Sequence, residues 1–376
     1  SDATKQVGEV RAAWPFAESS VWTPRMLTAL ENGVRGGKWF SLIDKVYKPE
    51  NLRVAFEKVK ANAGGAGVDH VDVERFEKRL DRNLDHLHDS LKDDSYRPQA
   101  VKRVWIPKPG GEKRPLGVPT VRDRVVQTAL RNVLEPIFER EFNEHSYGFR
   151  PGRSAKDALR RVDEQLKSGH DWIVDADIRS YFDEIDHGIL MNLVEDRVSD
   201  GRVLRLVRRF LDQEIQEGGE RTKPESGTPQ GAVISPIMAN IFLNPLDHLM
   251  SGRGFKMTRY ADDFVIACKS ESEARGALEA VREWCKNAKL ELHPEKTRIV
   301  NMQEPGGCDF LGYHFEWGYK NRKRQGKKFL KRTPAKKSMR KLKDAIRVKT
   351  RRANGYSLRT IIKEVNKTLV GWFEYF

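Results

Sequence analysis

Tyr260-Ala261-Asp262-Asp263 stands between two apolar runs, Phe255 to Thr258 and Phe264 to Cys268, and reads as a hairpin turn carrying two adjacent carboxylates. A third aspartate, Asp177, ends the strand-like run that begins Trp172-Ile173-Val174-Asp175-Ala176 and lies 85 residues upstream of Asp262. Three carboxylates on strand ends form a donor set for two Mg²⁺ ions, with Mn²⁺ able to substitute. Two such ions about 3.5–4 Å apart activate an attacking hydroxyl and stabilise a departing pyrophosphate. The pattern therefore points to nucleotidyl transfer. An Asp-Asp pair in a hairpin is by itself more often a solvated turn, so the surrounding segments decide the reading.

From residue 172 the periodicity gives a strand (to Ile178), a long helix (about 188–214), a loop, a helix (235–250), a strand-turn-strand (255–268), a helix (271–289) and a strand (297–301). With the 235–250 helix set aside this is β-α-β-β-α-β, in which the first strand lies beside the hairpin and Asp177 approaches Asp262. Asp175 and Asp183 are rivals for the role of first ligand. Strand alternation puts Asp175 on the same face as Asp177, and Asp183 suits a helix N-terminus. Upstream, residues 1–45 read as a short helix-rich extension. Residues 49–62 and 72–92 read as helices across the Gly64-Gly65-Ala66-Gly67 break, and 101–118 as a hairpin whose tip is Pro107-Lys108-Pro109-Gly110-Gly111. Helices follow over 121–138 and 154–167, the first with Val125, Val126, Ala129, Val133 and Leu134 on one side.

Arg114-Pro115-Leu116-Gly117-Val118-Pro119-Thr120, Ser146-Tyr147-Gly148-Phe149-Arg150-Pro151-Gly152-Arg153, Gly227-Thr228-Pro229-Gln230-Gly231 and Tyr260 to Asp263 follow one another in a recognisable order. In that order and spacing the chain resembles the group II intron-encoded reverse transcriptases from about Tyr47 to its C-terminus. The resemblance implies an α+β right-hand polymerase with a helical N-terminal extension, fingers, a ferredoxin-like palm and a helical thumb. The divisions would be residues 1–95 for the extension and start of the fingers, 96–170 for the fingers, 171–317 for the palm, and 318–376 for a basic thumb and the start of a maturase region.

The resemblance also implies roles for single residues. Asp177, Asp262 and Asp263 would be the metal ligands and catalytic acids. Lys108 and Arg114 would grip the triphosphate, Phe182 would exclude a 2′-hydroxyl, and Gln230 with Gly231 would meet the incoming nucleotide and template base. Lys296 matches a lysine that protonates pyrophosphate, and Gly312 in Phe310-Leu311-Gly312-Tyr313 matches a primer-grip turn. Ala232 stands where the family commonly has a second glycine. The implied partners are an RNA template, a DNA or RNA primer, dNTPs and structured intron RNA. Two readings stand beside polymerisation: an RNA-binding splicing cofactor, and a domesticated reverse transcriptase used in defence or repair.

Charge is concentrated. The chain has net charge +15, and residues 320–352 alone hold 17 Lys/Arg against one acid, Asp344, which leaves the remainder near neutral. Such a patch is a footprint for a polyanion, and Lys336, Lys337 and Arg340 are its expected nucleic-acid contacts. Arg150 and Arg153 are further expected template contacts, while Trp372 and Phe373 read as a small core. Cys268, Cys285 and Cys308 have no C-x₂-C spacing, which argues against a disulfide framework or a zinc site. With no signal-peptide pattern and no run of about 18 apolar residues, neither secretion nor membrane insertion is expected, and the resemblance implies the bacterial cytoplasm.

Overall fold

The periodicity of residues 121–138 produces the helix Val121–Glu139, started by Thr120, whose side chain accepts from Asp123 N. Its apolar spacing predicts one buried face, but the helix is buried nearly all round, polar residues included. Most polar atoms of those side chains find partners in place of water, Arg124 Nε and Gln127 Nε2 excepted. Asn132 Nδ2 donates to Asn51 Oδ1 at 2.8 Å, Gln127 Oε1 accepts from Val233 N at 2.8 Å, and Arg124 donates to Ala63 O and Gly65 O. Helices Pro49–Asn62 and Leu80–Lys92 pack on it.

The structure is a computed structural model and describes residues 10–34, 36–107, 113–319, 328–352 and 355–376. Strands run in chain order as β1 (Val101–Pro107), β2 (Lys113–Val118), β3 (Trp172–Asp177), β4 (Ile215–Glu217), β5 (Glu220–Thr222), β6 (Lys256–Tyr260), β7 (Asp263–Cys268), β8 (Arg298–Asn301), β9 (Cys308–Phe310), β10 (Tyr313–Tyr319) and β11 (Lys328–Pro334). The chain divides into two compact units. The first holds Ser1–Arg153, Arg179–Leu249 and Trp284–Glu291; the second holds Ser154–Ile178, Met250–Glu283 and Leu292–Phe376. Both draw on separated stretches of chain, because strands distant in sequence must pair to satisfy their backbone groups.

In the first unit, the helical layer is joined by the sheet β2-β1-β4-β5. Two expected helices are broken here. The stretch 188–214 forms His187–Glu195 and Gly201–Leu211, because Asp200 caps the second helix through Arg202 N and Val203 N at 3.0 and 3.2 Å. The same carboxylate accepts from Leu42 N and Ile43 N at 2.6 and 2.9 Å, so a distant segment holds the break open. Residues 72–92 likewise split into Val73–Glu77 and Leu80–Lys92, with Asn83 Nδ2 donating to Phe76 O across the break.

In the second unit, the antiparallel sheet β6-β7-β3-β8 places β3 beside the β6–β7 hairpin, the order expected for β-α-β-β-α-β. The helix Ala155–Lys167, closed by a Ser154–Asp157 capping box, packs on β6 and β7. A second sheet, β11-β10-β9, precedes the helices Lys336–Lys349 and Leu358–Tyr375, which pack on each other. The basic run is thus not wholly helical: β11 pairs with β10 along its length, and residues 320–327 lie outside the described ones. Phe373 is 80% exposed, which corrects its assignment to a core; Trp372 is half-buried against the Phe376 ring at 4.9 Å. The three cysteines are buried free thiols, pushed up to about 12 by desolvation. Among the described residues no helix is long and apolar enough to cross a membrane.

Candidate active site

The second unit brings the acids together. The β3–β7 register ends with Asp177 opposite Asp263, and the β6–β7 register with Tyr260 opposite Asp263, so Ala261 and Asp262 form a two-residue turn. Ala261 has φ +59°, which an L-residue adopts at a cost of roughly 1–2 kcal/mol. Arg259, fully buried, donates from Nη1 to Ala261 O at 2.8 Å and pins that conformation. Lys296 Nζ lies 2.6 Å from Asp177 Oδ2, and Arg298 Nε lies 3.1 Å from Asp175 Oδ2. Asp175 and Asp177 thus each have a cation partner, and both lie close enough to the hairpin for their charges to act on Asp263.

Desolvation, followed by the charges of Asp175, Asp262 and Asp177, pushes the Asp263 carboxyl up to about 7, against a hydrogen bond from the Leu311 backbone. Its side chain is nonetheless open to solvent, so water screens part of this repulsion. Among the described residues no three His, Cys, Asp or Glu side chains are already arranged as a metal cage. The donor chemistry still fits a hard divalent cation: the atoms on offer are carboxylate oxygens, and their mutual repulsion is the cost such an ion would remove. An acid whose pKa rises on folding contributes stability below its unfolded value of about 4, and that contribution is lost as pH rises through about 7. The thermal midpoint of metal-free protein is therefore expected to fall from about pH 5 to about pH 8, and Mg²⁺ to restore it at the higher pH. Asp263→Asn should flatten the slope; an unchanged slope in differential scanning fluorimetry would count against the acid crowd.

Leu311 and Gly312 form the β9–β10 turn, with φ of +47° and +80°. The close approach that Gly312 permits is taken up within the second unit, since a Cβ there would lie 3.0 Å from Ser338 Oγ and 3.5 Å from the Phe376 ring. Lys336, Lys337 and Arg340 are exposed at the start of the helix Lys336–Lys349.

The first unit holds the other expected residues. Phe182 is buried between the rings of Tyr181 (centroids 5.4 Å apart) and Phe149 (6.5 Å). Arg114 Nε donates to Gln230 Oε1 at 2.8 Å, and Gln230 Nε2 faces Asp183 Oδ2 at 3.4 Å. Gly231 has φ +103°, and a Cβ would meet Gly117 O and Leu116 Cδ1, both at 2.7 Å; packing against β2 is thus what requires glycine there. Ala232 lies outside the left-handed region, so the missing second glycine costs the backbone nothing. Lys108 lies outside the described residues.

Arg150 is corrected. Its side chain is 2% exposed, Nε and Nη2 bind Glu139, and Nη1 donates to Asn143 O and Ser146 O. Each of its three guanidinium nitrogens donates inside the protein, and the buried side chain is not presented to a template. Arg153 is half-exposed over the Tyr147 ring. The sequence reading missed Arg103, which lines a cavity of about 250 Å³ with Asp183, Thr228 and Gln230. Its signal was strand alternation, which sets Val101, Arg103 and Trp105 on one face of β1.

The family pattern described as Reverse transcriptase (RNA-dependent DNA polymerase) matches residues 106–315. Protein YkfC of Escherichia coli (strain K12) is 34% identical, over 72% of this chain and 82% of that protein. The group II intron-encoded protein LtrA of Lactococcus lactis subsp. cremoris is 30% identical, over 71% of this chain. A further relative, the uncharacterized 91 kDa protein in the cob intron of Schizosaccharomyces pombe, is 37% identical over 60% of this chain. The chain spans 55% of the length of LtrA and 26% of the cob intron protein. By the extent of these matches and the order of its motifs, the chain belongs to the reverse transcriptase family, among the group II intron-encoded proteins.

Proposed function

We propose that the chain adds dNTPs to a primer on an RNA template, in the service of group II intron mobility and with intron RNA as a bound partner. The observation that carries this reading is the β3–β7 register, which sets Asp177 opposite Asp263 with Asp262 in the adjoining turn. In this reading Asp177, Asp262 and Asp263 hold two Mg²⁺ ions. A divalent cation bound there supplies charge stabilisation at the phosphoryl oxygens and lowers the pKa of a primer 3′-hydroxyl. The protein's own share is positioning. Arg114 offers a planar fork to phosphate oxygens, Gln230 holds that arginine, and Phe182, five residues beyond Asp177 in the chain, fills the space a 2′-hydroxyl would need.

Lys296 is a proton source for pyrophosphate once released from Asp177. In this reading residues 1–95 would be the extension and start of the fingers, 96–170 the fingers, 171–317 the palm, and 318–376 the basic thumb with the start of the maturase region. The exposed Lys336, Lys337 and Arg340 supply phosphate contacts, which makes binding steeply salt-dependent. A bacterial cytoplasm suits these partners.

Primer extension on an RNA template with dNTPs and Mg²⁺ tests the reading, and a folded protein that binds RNA but never extends the primer would overturn it. The sugar selector is tested separately. Phe182→Ala is expected to reduce the preference for dTTP over UTP, as a ratio of kcat/KM, by roughly 10–100-fold. An unchanged ratio would remove Phe182 from that role.

A further inference from the structure

Arg114, Gln230 and Asp183 form a chain of hydrogen bonds whose direction chemistry fixes. A guanidinium only donates and an ionised carboxylate only accepts, so a single orientation of the Gln230 amide satisfies both neighbours. In that orientation Oε1 accepts from Arg114 Nε at 2.8 Å and Nε2 points at Asp183 Oδ2, 3.4 Å away. Flipped, the amide would set its NH₂ against the guanidinium, donor against donor.

The backbone holds Asp183 in place for this. Thr228 N donates to Phe182 O at 2.7 Å, Gly227 N to Ile185 O at 2.8 Å, and Ser226 Oγ to Asp183 O at 3.0 Å. Gly227 lies so close that a Cβ would sit 2.7 Å from Asp183 O. The short helix Tyr181–Glu184 and the loop that carries Gln230 are therefore zipped together, and the carboxylate cannot drift from the amide independently. Arg103 and Thr228 line the adjacent cavity, and each also carries a buried polar atom without a partner, Nε and Oγ1.

We propose that Asp183 is a positioning residue for the incoming nucleotide: it fixes the Gln230 amide so that Oε1 holds Arg114 by Nε and turns the two Nη groups of the guanidinium toward the triphosphate. The inference rests on the nucleotide-binding reading of Arg114 and Gln230. Asp183 touches no reacting atom and acts on Arg114 through Gln230.

The test is steady-state extension of oligo(dT) on poly(rA) with dTTP as the probe. Asp183→Ala is expected to raise KM for dTTP roughly tenfold, the worth of one oriented hydrogen bond to a charged group, and to leave kcat within about twofold. Asp183→Asn, whose Oδ1 still accepts from Nε2, should stay within roughly threefold of wild type. Asp183→Ser, too short to reach the amide, replaces the alanine variant if that one fails to fold. In a Gln230→Ala background the Asp183 substitution should change KM no further, a coupling that a merely structural role would not produce. An equal rise in KM with and without Gln230, or no rise at all, overturns the proposal. If Arg114→Ala and Gln230→Ala leave KM for dTTP unchanged while wild type extends normally, the nucleotide-pocket reading fails, and the role of Asp183 falls with it.

Discussion

Asp262→Asn is expected to lower primer extension by roughly 10³-fold or more, while RNA binding and the thermal midpoint stay near wild type. Asp262 sits in the two-residue turn between β6 and β7, next to Asp263, which itself faces Asp177. Charge stabilisation by a held divalent ion is worth several kcal/mol, and each 1.4 kcal/mol is about a factor of ten in rate. The substitution keeps the shape of the side chain and removes its charge, so a loss of activity would report the charge. Single-turnover extension on an RNA template, with Mg²⁺ titrated, measures it. Activity that persists within about tenfold at saturating Mg²⁺ would remove Asp262 from the ligand set.

Arg150→Ala is expected to produce the largest loss of stability, about 3–5 kcal/mol, and a fall in Tm of roughly 10 °C. The guanidinium binds Glu139 through Nε and Nη2 at 2.7–3.0 Å and donates from Nη1 to Asn143 O and Ser146 O at 2.6 and 2.7 Å. Removing it leaves the Glu139 carboxylate, only 10% exposed, without its counter-ion. Arg150→Lys should recover little, because a single ammonium cannot reproduce the fork. Urea unfolding measures the loss, with Arg153→Ala as the contrast: the half-exposed Arg153 should weaken RNA binding and leave Tm nearly unchanged. A Tm for Arg150→Ala within about 2 °C of wild type would show that the pair is not a structural anchor.

The two arginines mark where sequence reasoning loses sight of the molecule. Ser146-Tyr147-Gly148-Phe149-Arg150-Pro151-Gly152-Arg153 gives no local signal that one guanidinium turns inward and the other outward. That choice depends on Glu139, Asn143 and Ser146, whose acceptors converge only when the chain end of the helix Val121–Glu139 folds back. The broken helix over 188–214 has a similar origin. Its periodicity is helical throughout, and the N–H groups of Leu42 and Ile43 recruit Asp200 as a cap from about 160 residues away. Phe373 erred in the other direction: its neighbours look core-like, but the helix Leu358–Tyr375 buries none of its residues.

By itself the sequence determined which acids are the candidate ligands, the β-α-β-β-α-β order that sets β3 beside the hairpin, and the concentration of positive charge around Lys336, Lys337 and Arg340. Each is written in short-range pattern: residue type, period-two alternation and local charge. Only the tertiary structure decided that Asp177 is opposite Asp263, that Lys296 bridges to Asp177, and that Arg114, Gln230 and Asp183 form one hydrogen-bonded chain. Those pairings join residues tens to more than a hundred positions apart. Their distances are set by strand register and by backbone hydrogen bonds between distant segments, which no local pattern encodes.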